Sequence, residues 1–266
     1  MSAPYTTEEL VACVIARELR NGERGFMGAN MSVGRDAVLL AHALWAPDLR
    51  LLLGFSWASG TGRGALNLHD DSADFRDARW AEGWMRLDSM IDEYRFFSDF
   101  MVIGALQIDR FGNSNLIGLG ADHRALRFRG PGPMGSLSTT AYCDRFYLAP
   151  TRHTAEVFVE ACDFVSTVGW GEGGADGRTR LGLPGGGPHL IVTPRCVFDF
   201  APDSRALRLR SVHPGGSVAE VLENTGCEVL VEEVAETDPP TAAELAVLRE
   251  LRGPSTDTPE KGESPK

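Results

Sequence analysis

The chain has 266 residues and a mass of 28.8 kDa, enough for one large α/β domain or two small ones, and its 43% apolar and 24% charged residues are ordinary for a soluble globular protein. A net charge of −11 and a pI of about 5.0 argue against binding nucleic acid through a basic face, although single arginines or backbone N–H groups can still hold a phosphorylated small molecule. No apolar run is long enough to span a bilayer, and the opening residues MSAPYTTEEL read as no secretory signal, so the expectation is a cytoplasmic protein that does not engage a membrane.

The elements follow in chain order. Thr6-Thr7-Glu8-Glu9 starts a helix with acids in its first turn, and Leu10, Val11, Val14, Ile15 and Leu19 give it one apolar face before Asn21-Gly22 ends it. Glu23 to Met27 reads as a short strand, Gly28-Ala29-Asn30 as a turn, Val33 to Trp45 as a second helix, and Leu49 to Leu53 as a strand apolar enough to be buried on both faces. Helix, strand, helix, strand is the rhythm of a parallel sheet flanked by helices. Gly54 to Asp77 is rich in Gly, Ser and Asp and is expected to be a long loop; Trp80 to Asp99 is helical or mixed. Phe100 to Ile108 is a strongly apolar strand ending in the turn Asp109 to Asn113, and Gly130-Pro131-Gly132-Pro133-Met134-Gly135 opens a helix at Ser136.

Farther on, Val157 to Val165 fits strand or helix equally. Leu190 to Val192 and Val197 to Phe200 are expected to pair, Ser217 to Asn224 is a short helix, and Thr241 to Leu251 is an amphipathic helix with a Thr241/Glu244 capping box. These elements define residues 1–252 as the folded unit. The tail from Gly253 is polar and Pro-rich and is expected to be disordered.

Three stretches can carry chemistry, each weighed against a structural alternative. The Gly/Pro cluster can aim the N–H groups of Gly130, Gly132 and Gly135 at an oxyanion, or be only a tight turn. Gln107, an amide closing a buried strand, can face a site or bond to a loop. Arg178 and Arg180, ahead of a Gly-rich run to Pro188, can meet a phosphate, or sit solvated on a connection. Five cysteines stand singly (Cys13, Cys143, Cys162, Cys196 and Cys227), and neither they nor the six histidines show metal-ligand spacing, so neither a metal nor a disulfide framework is expected.

Taken together, several segments resemble one family in order. They are Glu9 to Asp48, with Ala16-Arg17-Glu18-Leu19-Arg20-Asn21-Gly22 and Ala46-Pro47-Asp48; Gly104 to Asn115; Phe164-Val165-Ser166 through Trp170; Arg180-Leu181-Gly182-Leu183-Pro184-Gly185; and Glu223-Asn224-Thr225-Gly226. The chain resembles the glutaconate CoA-transferase-like beta subunits of the class I CoA-transferases. The resemblance implies an open, mainly parallel α/β sheet flanked by helices, the CoA-transferase (NagB/RpiA-like) fold. It also implies a homologous alpha subunit, in a heterodimer or an α2β2 heterotetramer, an active site between the two, an acyl-CoA substrate, and no cofactor beyond the CoA that the substrate carries.

In that family a glutamate after the strand that follows Ala-Pro-Asp attacks the thioester. Here the residue after Leu53 is Gly54, and Phe55 to Gly64 contains no carboxylate; the nearest acids are Asp48 before the strand and Asp70-Asp71 after it. Gly54 in place of the nucleophile is similar to the branch that opens the last steroid ring of a cyclic 3-oxoacyl-CoA in bacterial cholesterol catabolism, with the working glutamate on the alpha subunit. The resemblance then gives this chain no catalytic side chain of its own. Gln107, Gly130, Gly132, Gly135, Phe55 and Trp57 remain as candidates to bind the substrate or its oxyanion. An ordinary CoA-transferase, a thioester hydrolase and a non-catalytic scaffold protein are the alternatives.

Overall fold

The computed structural model describes residues 5–28, 31–53, 56–59, 81–84, 98–133 and 135–252, with 26, 51–53, 56–59 and 81–84 described by their backbone alone. Helix α1 (Thr7–Arg17) starts on a reciprocal cap: Thr6 Oγ1 accepts from the Glu9 N–H, and Glu9 Oε2 from the Thr6 N–H. Strand β1 (Arg24–Met27), helix α2 (Ser32–Leu44) and strand β2 (Arg50–Leu53) follow as a parallel crossover, with Phe26 opposite Leu52 in the ladder. Strands β3 (Ser56–Ser59) and β4 (Ala81–Trp84) then extend the sheet antiparallel. The expected loop from Gly54 therefore contains a strand. Its Gly, Ser and Asp content obscures a short run whose ladder partner is β2, a long-range pairing that local composition does not report.

Strand β5 (Phe100–Ile103) runs parallel to β1 on the side away from β2. The single strand expected to Ile108 is broken at Gly104-Ala105-Leu106, where the Leu106 N–H turns to the Asn115 carbonyl. Gln107 and Ile108 form β6 (Gln107–Ile108), paired with β7 (Ser114–Asn115) across the expected turn. A second hairpin joins β8 (Gly118–Leu119) to β9 (Phe128–Arg129). Helix α3 (Ser136–Tyr142) packs on β5 and leads into β10 (Arg145–Leu148), parallel to β5. The short α4 (Gly177–Arg180) precedes β11 (Pro188–Val192), which pairs antiparallel with β12 (Cys196–Phe200) as expected. Strand β13 (Leu207–Val212), α5 (Val218–Glu223), β14 (Leu230–Glu236) and α6 (Ala242–Arg252) complete the described chain.

The sheet order is β14-β13-β12-β11-β10-β5-β1-β2-β3-β4, with a parallel centre from β11 to β2 and antiparallel strands on both flanks. Central strands are buried on both faces and alternate between two cores. Phe100, Val102, Tyr147, Leu190 and Val192 face the layer of α1, α2 and α6, while Met101, Ile103, Phe146, Leu148 and Ile191 face the opposite layer, where Phe158, Trp170 and Phe198 pack. The stretch 157–165 is neither strand nor helix; it touches β6 through an Ile108–Phe158 bridge and Gly226 through Val159.

The last helix straps the first. Its capping box is present as expected, with the Glu244 N–H donating to Thr241 Oγ1 and the Thr241 N–H to Glu244 Oε2. Ion pairs Arg17–Glu244 (2.7 Å), Arg249–Glu9 (2.9 Å) and Arg252–Asp36 (2.7 Å) join it to α1 and α2, and all three carboxylates are buried. The Arg249 guanidinium holds the Glu9 carboxyl below its ordinary range. The expected tail, 253–266, lies outside the described residues.

Candidate active site at the carboxyl edge of the parallel strands

In an open parallel sheet, ligands bind beyond the carboxyl ends of the strands where the connections diverge. Here that point lies between β1 and β5: from β1 the chain crosses to β2 on one side, and from β5 to β10 on the other. Glycine follows each of the three strands around it: Gly28 after β1, Gly54 after β2 and Gly104 after β5. The Gly28 N–H donates to the Val102 carbonyl at 2.9 Å, which fastens the two strand ends together. Met31 sits over both of the described glycines; a Cβ on Gly28 would lie 3.3 Å from its Cγ, and one on Gly104 3.3 Å from its Sδ.

Met31 is also the N-cap of α2, and it offers no side-chain acceptor to the first-turn N–H groups, which have no acid beside them either. Such a terminus favours an anion. The succession of strand, Gly28 and helix is the signal in the sequence for this end of the site, although local composition reads it only as a turn. Gly54 and Phe55 lie outside the described residues. Trp57 is placed by its backbone in β3, opposite Leu52.

The other candidates divide. Gln107 does not present its carbonyl outward: Oε1 accepts from Asn115 Nδ2 at 2.8 Å and from the Asp163 N–H at 2.9 Å, and the residue is buried. The break at Gly104 moves Gln107 off the end of β5 and into a separate hairpin, so its amide fixes a turn. Asn115 continues that network, donating to the Gly118 carbonyl and accepting from the Ile117 N–H. Gly130 and Gly132 are not free oxyanion donors, because their N–H groups bond to the carbonyls of Ile117 (2.8 Å) and Leu116 (2.9 Å). Gly130 is glycine for lack of room, since a Cβ there would meet the Leu116 oxygen at 2.2 Å. Gly135 has φ +83°, caps α3, and its N–H has no partner among the described residues.

The arginines correct a second expectation. Arg178 is neither solvated nor turned toward a phosphate. It is buried and donates to the carbonyls of Gly185 (2.8 Å), Val168 (2.9 Å), Gly169 (3.0 Å) and Thr140 (2.7 Å), with no carboxylate partner. Burial pulls its pKa below the ordinary arginine value, and the carbonyl dipoles carry the charge. Arg180 is exposed and pairs with Asp176. Sequence reasoning misses this clamp because its acceptors are backbone atoms of three separate segments, and only the Gly-rich run at 185–187 hints at close approach.

Asp109 is likewise structural. It accepts from the Phe111 N–H, the Asn113 N–H and Asn113 Nδ2, while burial nevertheless pushes its carboxyl above the ordinary range. Burial also pushes the Cys143 and Cys196 thiols up to about 12, so both are poor nucleophiles. Among the described residues, no cluster of three or more His, Cys, Asp or Glu side chains could hold a metal ion, and no helix is long and apolar enough to cross a membrane.

No family model matches the sequence. The B subunit of 3-oxoadipate CoA-transferase from Pseudomonas knackmussii is 34% identical over 257 residues, covering 94% of each chain. The cholesterol ring-cleaving hydrolase IpdB subunit of Rhodococcus jostii is 33% identical over 178 residues, 65% of this chain and 67% of that one. Among solved structures, glutaconate coenzyme A-transferase from Acidaminococcus fermentans superimposes with a TM-score of 0.79 at 27% identity, over 93% of this chain and 94% of its own.

Proposed function

The chain belongs to the family of CoA-transferase beta subunits, and from that premise we propose that it is the beta subunit of a heteromeric enzyme that opens a cyclic 3-oxoacyl-CoA by hydrolysing a carbon–carbon bond, in steroid catabolism. The observation that carries the reading is the residue after β2. This strand ends at the same edge as Gly28, where the family places its attacking glutamate, and the chain continues with Gly54. Glycine has no group to acylate, so a glutamyl-CoA intermediate cannot form there. The similarity to a ring-cleaving hydrolase supports the same reading.

In this mechanism a homologous alpha subunit supplies the glutamate base, which takes a proton from water. The hydroxide adds to the ring ketone carbon and the bond from that carbon to the α-carbon of the thioester breaks. The electron pair is held as an enolate on the thioester carbonyl until the α-carbon takes a proton, leaving a carboxylate with CoA still attached. On this chain, the uncapped N-terminus of α2 and the Gly135 N–H are the donors available to the enolate oxygen. Gly54 leaves space for the ring, and Phe55 and Trp57 are the apolar residues beside it in the sequence.

The test is to co-purify the chain with the alpha subunit encoded in the neighbouring gene, add a cyclic 3-oxoacyl-CoA, and follow products by mass. Gain of one water with CoA retained is the expected result, and release of free CoA would instead identify a thioester hydrolase. Gly54→Glu should not raise the rate; a rise would sink the space argument. One observation favours a second reading, an ordinary CoA-transferase: the 3-oxoadipate relative matches along nearly the whole chain. That reading needs a carboxylate from Asp70 or Asp71, which lie outside the described residues. It predicts no turnover until an acceptor acid is added, and an acyl-enzyme that hydroxylamine traps on this chain.

A further inference from the structure

We propose that the β8–β9 hairpin is the subsite for the phosphorylated end of the CoA substrate, with Arg127 and Arg129 as its anion-binding pair and Arg124 at its turn. The inference rests on the reading that the substrate is an acyl-CoA, whichever reaction follows.

The chain is acidic, yet it leaves one group of arginines without acids. Most described arginines are committed: Arg17, Arg110, Arg145, Arg208, Arg210 and Arg252 to carboxylates, and Arg178 to carbonyls. Arg124, Arg127 and Arg129 are exposed and have no side-chain hydrogen bond or ion pair to a described residue, and no other six-residue stretch of the described chain carries three such arginines. Leaving three like charges together in a protein of net charge −11 costs repulsion that an anionic ligand would relieve. The acids nearby are otherwise engaged: Asp163 Oδ2 accepts from the Gly120 N–H, and Asp122 Oδ1 accepts from the Arg124 N–H beside His123.

Position is the second, independent observation. Arg129 pairs with Gly118 and Phe128 with Leu119, while the Arg127 N–H donates to the Leu119 carbonyl, so Arg127 and Arg129 fall on one face of an extended segment. That segment is stitched to the site. The Leu106 N–H, three residues past the end of β5, donates to Asn115, and the Gly130 and Gly132 N–H groups donate to Ile117 and Leu116. The hairpin therefore stands at the rim of the carboxyl edge, held by backbone bonds. In CoA the diphosphate and 3′-phosphate are carried well away from the thioester by the pantetheine arm, so a rim site reached from the strand ends suits them. Guanidinium forks match phosphate oxygens in pairs.

The experiment is calorimetric titration of CoA, and separately of pantetheine, into the two-subunit complex, wild type and Arg127→Ala/Arg129→Ala. The substitutions are exposed and leave the hairpin backbone bonds in place. The expected result is a CoA Kd raised about tenfold or more, a weaker salt dependence of that Kd, and no change for pantetheine. An unchanged CoA Kd, an equal loss for pantetheine, or loss of the alpha subunit from the complex would overturn the proposal, the last assigning the hairpin to the intersubunit contact. Inorganic phosphate displacing CoA as well as 3′-phospho-ADP does would overturn it too, by reducing the site to a general anion patch. Each outcome is read from ligand binding or assembly and none from turnover, so failure of the ring-opening assay leaves this test intact.

Discussion

At the carboxyl edge of β1, β2 and β5 the chain sets a glycine after each strand, whereas the buried polar residues between Gln107 and Arg178 bond to one another and to nearby backbone. Gly28 and Gly104 bring no side chain to the edge, and Gly54 follows β2 in the sequence. Gln107, Asp109, Asn113, Asn115 and Arg178 are all buried, and each meets partners on segments other than its own or across a turn. On the proposed reading, in which Gly54 stands where the family has its nucleophile, the difference teaches where to look for chemistry. The buried polar residues that attract attention in the sequence build the support, and the candidate site is the edge where these strands run into glycine.

Perturbing the support should therefore cost stability first. Arg178→Met strands four carbonyls, and about 3 kcal/mol of unfolding free energy should be lost in a denaturant titration; a fully stable variant with impaired CoA binding would return Arg178 to the site. His153 tests the same layer by pH. It is buried between Thr193 and Thr225 hydroxyls and against Phe158 and Phe198, and burial pulls its pKa down to about 4.

Because the folded value lies below the unfolded value of about 6.5, the stability that neutral His153 supports is complete above that pH and is lost as pH falls toward 4. The loss should be on the order of 2–3 kcal/mol. His153→Gln should flatten that slope, and an unchanged slope would place the acid sensitivity elsewhere. Gln107→Ala removes the acceptor of two donors and should cost about 2 kcal/mol, with kcat of the complex unaltered; a fall in kcat without loss of stability would blur the division between support and site. The smallest effect belongs to Gly132→Ala. Its φ of +85° is strained for alanine, yet nothing lies within 4 Å of the added Cβ, so about 1 kcal/mol should be lost and turnover retained.

Local signals carry the helices and the central rhythm. Acids and caps mark α1, α5 and α6, and the apolar runs at Leu49 and Phe100 mark buried strands. What stays illegible depends on distance. Ser56–Ser59 is a strand because β2 lies beside it, and the alternating Leu207–Val212 and the short Arg145–Leu148 declare themselves only beside their ladder neighbours. Gln107 looks like the end of a strand that in fact stops four residues earlier. The candidate site is legible mainly as an absence, Gly54 after Leu53, since a missing carboxylate can be read from one position while a donor's direction needs the whole backbone.

The ionic strap of α6 also sets a schedule. Glu9 and Asp36 are buried, and their partners Arg249 and Arg252 are translated 240 and 216 residues later. Until synthesis reaches them, Glu9 lacks the guanidinium of Arg249 and Asp36 has only the adjacent Arg35, at 3.3 Å, which favours keeping that layer open. Maturation of the helical face, and with it the seating of α2 beside the carboxyl edge, is thereby tied to the arrival of α6 rather than to the order in which the strands emerge.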